Sequence, residues 1–311
     1  MLMATRRPDP TVQRRRLRNE LRKARERARM TQREVADAMD WSLSKLIRIE
    51  TGQVGITTND LRALLAHYGV NEESRVKELI DSGRASRERS WWSVYKEIAA
   101  PEYLTFLGYE SSATYLRNFE PIVLPGLLQT EEYAREVVAG FPNASALVEL
   151  RMERQELIVR DDGPRMYFML DEAVIRRVVG GPDVMHHQLR KLLDLNKRPN
   201  VEIFIVPFSE GVHPLWRTPM VHFEFAGSDD EDVLYIENPI GQLIIREGDP
   251  EESAELTPTK YLDLFWTVEH LARKTDAESL IQDALDGLSQ AEKPGGPRKN
   301  GKGRGPQPPG Q

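Results

Sequence analysis

The chain contains no cysteine. Disulfide frameworks, thiolate zinc sites and cysteine nucleophiles are excluded, and such a chain suits a reducing cytoplasm. Long apolar runs are also missing. The longest, around Ile203 to Phe208, falls far short of the ~20 residues that a membrane-spanning helix requires, so no membrane partner is expected. The N-terminus is charged and offers no apolar segment of the secretory kind. Aromatic residues make up only 7% of the 311 residues, yet 40% are hydrophobic, which is enough apolar mass for about two globular domains.

Familiar catalytic signatures are lacking too. There is no glycine-rich phosphate loop, no Gly-x-Ser-x-Gly elbow and no His-Glu-x-x-His helix, so neither an enzyme nor a cofactor is expected. Of six histidines, His186 and His187 are adjacent and would point in different directions on a helix. His222 and Glu224 share one face of a strand with His213 nearby, which can make a His/His/Glu metal group. The outward face of a half-buried strand explains them equally, and no metal is expected. Asn143-Ala144-Ser145 is a glycosylation sequon by letter only, since a cytoplasmic chain would not be modified there.

What the chain does have is charge polarity. The net charge of −6 divides into +7 over residues 1–90, −17 over 91–290 and +4 over 291–311. A basic segment that meets a polyanion, joined to an acidic one that does not, would look like this. A solvated basic helix face is the plainer alternative. The last stretch, Ala291–Gln311, holds six glycines and five prolines without apolar periodicity and is expected to be disordered.

Within the first ninety residues, Asp9-Pro10 can cap a helix carrying Leu17, Leu21, Ala24 and Ala28 on one face. Thr31 and Glu34 form a capping box for a short second helix. Ser42 can start a third that stops at Gly52, and further helices can begin at Thr57 and Asn71. Val35, Met39, Trp41, Leu46 and Ile49 are apolar and Ala36 is small. Two helices crossing steeply need such a small residue at closest approach, which suggests a helix-turn-helix. Gln32, Leu43, Ser44, Lys45, Ile47 and Arg48 are then left facing outward.

Met30-Thr31-Gln32-Arg33-Glu34-Val35-Ala36 and Ser44-Lys45-Leu46-Ile47-Arg48-Ile49-Glu50-Thr51-Gly52 resemble the Cro and phage-repressor class of helix-turn-helix proteins, the xenobiotic-response-element family. The resemblance spans about residues 14–70. Asp40 stands where that family usually has glycine, and aspartate tolerates left-handed backbone better than most residues. The resemblance implies that helix 42–51 enters the major groove of double-stranded DNA. Gln32 would touch phosphate, and Ser44, Lys45 and Arg48 would read bases or backbone. Leu43 would meet a thymine methyl, and Arg14, Arg15 and Arg16 would add backbone contacts. A homodimer on a pseudo-palindrome is expected, because one small helix-turn-helix offers few base contacts.

The polar run 83–90 reads as a linker between a domain at 10–82 and one at 91–289, with a tail at 290–311. Trp91-Trp92 would anchor the second domain, a nucleic-acid stacking platform being the sharper reading. Helical patterns occur at 131, 144–160, 183–196 and 257 onward. Thr275 with Glu278 suggests a capped last helix. Strands are expected at 166–170, 221–225, 234–236 and 243–245, with Asn238, Pro239 and Gly241 in a turn. Val201–Phe208 would be a central strand. The fold class expected is an all-α N-terminal helix-turn-helix domain followed by a larger α+β domain and a disordered tail.

Phe119-Glu120-Pro121, Leu124-Pro125-Gly126-Leu127-Leu128-Gln129-Thr130-Glu131-Glu132-Tyr133-Ala134, Leu170-Asp171-Glu172-Ala173, Arg198-Pro199-Asn200-Val201 and Val206-Pro207-Phe208 are similar to segments of actinobacterial regulators. These carry a helix-turn-helix and a C-terminal domain of unknown function. Some are described as antitoxin-like, and many are encoded beside a small partner protein. The resemblance implies a DNA-binding transcription regulator whose second domain dimerises or senses an effector or partner. The alternative it carries is a module that sequesters a small protein, with DNA binding serving autoregulation.

Overall fold

The computed structural model describes residues 9–226, 231–238, 241–246 and 257–291. The chain begins with five helices: α1 (Pro10–Arg27), α2 (Gln32–Ala38), α3 (Leu43–Glu50), α4 (Thr58–His67) and α5 (Glu73–Ala85). Caps set their starts. Asp9 accepts from the Thr11 amide, Ser42 from that of Lys45 and Thr57 from that of Asp60. The Thr31–Glu34 box is closed in both directions. Asp40, after α2, takes the left-handed backbone (φ 54°) that its short polar side chain permits, and Gly52 does so after α3 (φ 75°). Leu21, Val35, Ala36, Leu46, Ile49 and Leu64 meet in one core beneath these helices.

The run expected as a linker, 83–90, begins inside α5, because the last turn of that helix covers 83–85. The rest is held by hydrogen bonds. Arg87 donates to the Ile56 carbonyl (3.1 Å), and Ser90 donates to Asp9 Oδ1 (3.2 Å). Trp91–Tyr95 forms a 3₁₀ turn, with both tryptophans half-buried against the second core.

The second region comprises α6 (Pro101–Ser112), β1 (Tyr115–Glu120), α7 (Glu131–Val137), α8 (Ala144–Arg154), α9 (Glu156–Val159), β2 (Arg165–Asp171), α10 (Glu172–Arg176) and α11 (Pro182–Asn196). It continues with β3 (Val201–Val206), β4 (Met220–Glu224), β5 (Val233–Asn238), β6 (Gly241–Arg246), α12 (Pro258–Ala272) and α13 (Ala277–Ala291). The six strands form one mixed sheet in the order β3-β2-β1-β4-β5-β6. β1, β2 and β3 are parallel, and β1, β4, β5 and β6 are antiparallel. Alternation along the strands sends Leu116, Phe168, Ile203 and Tyr235 to one face, where Leu107 of α6, Leu189 of α11 and Ile281 of α13 cover them. Phe119, Met169, Phe204 and Leu234 go to the other face, under Phe265 and Val268 of α12. The architecture is a helical N-terminal region followed by an α+β domain.

Val201–Phe208, expected as a central strand, is instead the edge strand β3. Its apolar run reflects helices on both faces, α11 and α13 on one and α12 on the other, rather than strands on both sides. It ends at Val206, and Phe208 is exposed. The two middle strands are β1 and β4, and in β1 Arg117, Asn118 and Glu120 break the apolar pattern. Asn118 donates to the Met220 carbonyl across to β4 (2.9 Å), and Arg117 pairs with Glu224. The last helix is capped by Asp276 rather than Thr275, since Asp276 Oδ1 accepts from the Glu278 amide (3.2 Å). That helix runs through residue 291, so the first two residues of the expected tail are helical. Residues 292–311 of the tail, and Pro239 of the expected turn, lie outside the described residues.

The two regions share an interface along α1 and α6. Val12 of α1 is buried in the second region's core, not in that of the five helices. The Asp9 amide donates to Ser112 Oγ (2.7 Å). A Cβ on Gly108 would overlap the Thr11 side chain, so the helices touch backbone to side chain there.

Candidate nucleic-acid interface

The third helix is fixed from inside. Leu46, Ile49 and Glu50 are buried, which leaves Ser44, Ile47 and Arg48 exposed on the opposite face. Leu43, at the first position, is half-buried. Lys45 is committed partly within the domain: Nζ lies 3.3 Å from Asp60 Oδ2 and 3.8 Å from the centre of the Trp41 ring. That cation–ring contact had no signal in the sequence beyond the four-residue spacing. Ile47 is 37% exposed, an apolar group on a face otherwise offered by Ser44 and Arg48.

Gln32 stands half-buried at the start of α2, and its amide donates to Glu50 Oε2 (2.8 Å). The same carboxylate receives Arg25 from α1, whose third nitrogen donates to the Met30 carbonyl (2.9 Å). Burial lowers the Arg25 pKa, but the hydrogen bonds and charge of Glu50 outweigh it, and the net shift is upward. The nearby Tyr68 hydroxyl is pushed up, first by burial and then by Glu50. One buried carboxylate therefore ties α1, the start of α2 and the end of α3 together, orienting Gln32 as it does so.

The arginine trio on α1 is redirected by the fold. Arg15 is 4% exposed and lies over the rings of Phe225 (4.4 Å) and Tyr109 (5.5 Å), facing the second region rather than a phosphate. Its expected role as a backbone contact is corrected by that burial. Arg16 is half-buried against Glu78 (2.6 Å). Arg14 is exposed, with one nitrogen on the Ser86 carbonyl (3.1 Å).

The candidate metal group changes membership. His222, Glu224 and Asp232 offer ligand atoms within 4.8 Å of one another, whereas His213 packs edge-on against Phe119 (5.3 Å). His222 is fully buried, and burial together with Arg117 pushes its pKa down to about 3. Arg117 already engages Glu224, so a cation entering here would meet a fixed positive charge.

The segment Leu124–Thr130, which leads into α7, is held by side-chain amides. Gln129 donates to the Leu124 carbonyl (2.7 Å), Gln155 to those of Gly126 (2.9 Å) and Gln129 (2.8 Å), and Gln188 to that of Leu128 (2.8 Å). Side-chain amides, those of Gln129 and Gln188 fully buried, thus satisfy the backbone of an irregular segment. Among the described residues no helix is long and apolar enough to cross a membrane.

Residues 16–79 match a helix-turn-helix domain family, and residues 103–263 match a family described as a domain of unknown function, DUF5753. No curated protein and no solved structure matches the chain. The second match spans more than half of the sequence, and with α2 and α3 arranged as above the chain belongs to the DUF5753 family, with a helix-turn-helix domain at its N-terminal side.

Proposed function

We propose that the chain is a sequence-specific DNA-binding transcription regulator that reads the major groove with α3 and acts by binding rather than catalysis. The observation that carries this reading is the fixed orientation of α3, with Leu46 and Ile49 buried and Ser44, Ile47 and Arg48 exposed on the face that the helix-turn-helix docking mode presents to bases. Gln32, oriented by Glu50, would meet a phosphate, and Arg14 would add a backbone contact. Few side chains read bases from one copy, so a homodimer on a two-fold symmetric site completes the reading. Selection of bound sequences from random DNA by the full chain tests it. A recovered consensus with two half-sites about one helical turn apart supports it, and random recovery at low salt overturns it.

A second reading, capture of a small protein partner by the C-terminal domain, is favoured by residues 208–216. There Phe208, Val212 and Trp216 are 59%, 77% and 41% exposed. Co-purification with the product of an adjacent gene tests it, and release of that product by Val212→Asp is the expected result.

A further inference from the structure

At the carboxyl end of β1, between α6, α7, α8 and β5, the second region holds a cavity of about 160 Å³. A cavity of ~150 Å³ admits a benzene-sized group. Part of its wall is apolar, formed by Phe106, Leu116, Phe168, Val221 and Tyr235. The segment 123–129, held by its buried glutamines, closes one side, so the wall is built before any ligand arrives.

Two polar groups in this wall have opposite unmet needs. Arg151 donates from Nη1 to Gln129 Oε1 (2.7 Å), a neutral acceptor, while its Nε is buried with no hydrogen-bond partner. Burial, with the neighbouring Arg154 charge, lowers its pKa against the opposing pull of Tyr103 and Glu237, and among the described residues it forms no ion pair with a carboxylate. Among the described residues, Glu120 receives one hydrogen bond, from the Asn118 amide at 3.4 Å. Burial, and after it the charge of Glu237 at the rim, pushes the Glu120 carboxyl up to about 8. Arg154 in the same wall is different. It is saturated by Glu110 through two bonds of 2.7 and 2.9 Å and by the Tyr103 hydroxyl.

A simple anion on Arg151 would leave Glu120 protonated, and a simple cation on Glu120 would leave the Arg151 charge without a counter-charge, whereas a ligand carrying both charges answers both groups. We propose that the cavity binds a small zwitterion of the amino-acid class with an apolar side chain, its carboxylate on Arg151, its ammonium on Glu120 and Glu237, and its side chain against Phe106 and Phe168. The site reaches the DNA-binding unit through one helix. α6 contributes Phe106 and Glu110 to the cavity wall and sets Gly108, Tyr109 and Ser112 against α1. A ligand that prefers one position of α6 therefore biases the seating of α1. This second half rests on the reading of the chain as a DNA-binding regulator; the site itself does not.

Calorimetric titration of the full chain with L-leucine and L-phenylalanine tests the site, with 3-phenylpropionate and phenethylamine as single-charge controls. At least one of the two amino acids is expected to bind at least tenfold more tightly than either control. Glu120→Gln and Arg151→Lys are each expected to weaken it at least tenfold with unchanged circular dichroism. Hydrogen exchange on the unmodified chain provides a readout free of variants, with protection expected over residues 103–129. No heat with either amino acid, equal binding of a control, or protection confined to elements that do not line the cavity overturns the site. Operator titrations with and without the bound amino acid then test the relay, for which a shift of fivefold or more is expected. Amino-acid binding with no such shift overturns the relay alone. Amino-acid binding by a chain that selects no DNA sequence overturns the regulator reading and leaves the site standing.

Discussion

Arg25 and Glu50 form a two-pronged ion pair, 2.7 and 3.2 Å long, in which the carboxylate is 3% exposed and also accepts from Gln32. Removing one partner strands the other charge away from water. Glu50→Ala is expected to cost about 3–5 kcal/mol in a urea titration of the full chain. Gln32→Ala leaves the pair intact and is expected to cost no more than about 1 kcal/mol. A loss for Glu50→Ala no greater than that for Gln32→Ala would show that this carboxylate does not organise the helices.

The face of α3 separates folding from recognition. Arg48→Ala and Ser44→Ala alter exposed side chains and are expected to change stability by no more than about 0.5 kcal/mol. Each is expected to weaken the best selected operator by about 1–3 kcal/mol where a base contact is lost. Leu46→Ala empties a site that is fully buried and is expected to cost about 2–5 kcal/mol of stability. Thermal melts and operator titrations on the three variants check this together. Parent-like operator binding by both surface variants would remove base reading from this helix.

The N-terminal helical region was legible because its signals are local. Caps at Asp9, Thr31, Ser42 and Thr57 sit beside the helices that they start, and the inner face of α3 repeats at helical spacing. The sheet was less legible, since strand order depends on long-range pairing. β1 carries Arg117, Asn118 and Glu120 and so hides its central place, while β3 reads as central because helices cover both its faces. α6 gave no periodic signal because Phe106, Leu107, Tyr109 and Glu110 are all buried, between the sheet on one side and α1 on the other. Arg15 was misread for the same reason: nothing near it in sequence announces Tyr109 and Phe225.

Glu120 makes stability depend on pH. Its folded pKa of about 8 lies above the usual value of 4.5, so the folded chain keeps a proton that the unfolded chain releases between those limits. Stability from this group is complete below about pH 4.5 and is lost as pH rises toward 8, with a slope of at most about 1.4 kcal/mol per pH unit. Glu120→Gln keeps the shape and abolishes the titration. In urea titrations from pH 5 to 9, the variant is expected to gain on the parent as pH rises. Parallel curves would show that this carboxyl is not held protonated.

The α1–α6 seam fastens the helix-turn-helix region to the second region. Val12 and Arg15 are buried against the second region, and Gly108 admits Thr11 only because it has no side chain. Gly108→Val must push α1 away, whereas Leu17, Leu21 and Ala24 keep it packed on the other helices. The variant is expected to keep its helical content, to be cut by trypsin between residues 84 and 96 faster than the parent, and to bind operator with altered affinity. Arg15→Ala is expected to act in the same direction by removing the cation from the Phe225 and Tyr109 rings, a loss of about 1–2 kcal/mol. If Arg15 instead contacted phosphate, the salt dependence of DNA binding would become shallower by about one counterion. Burial at the seam requires that slope to stay as it is in the parent. An unchanged protease pattern together with a shallower salt slope in Arg15→Ala would return this residue to the DNA surface and leave the seam without a role.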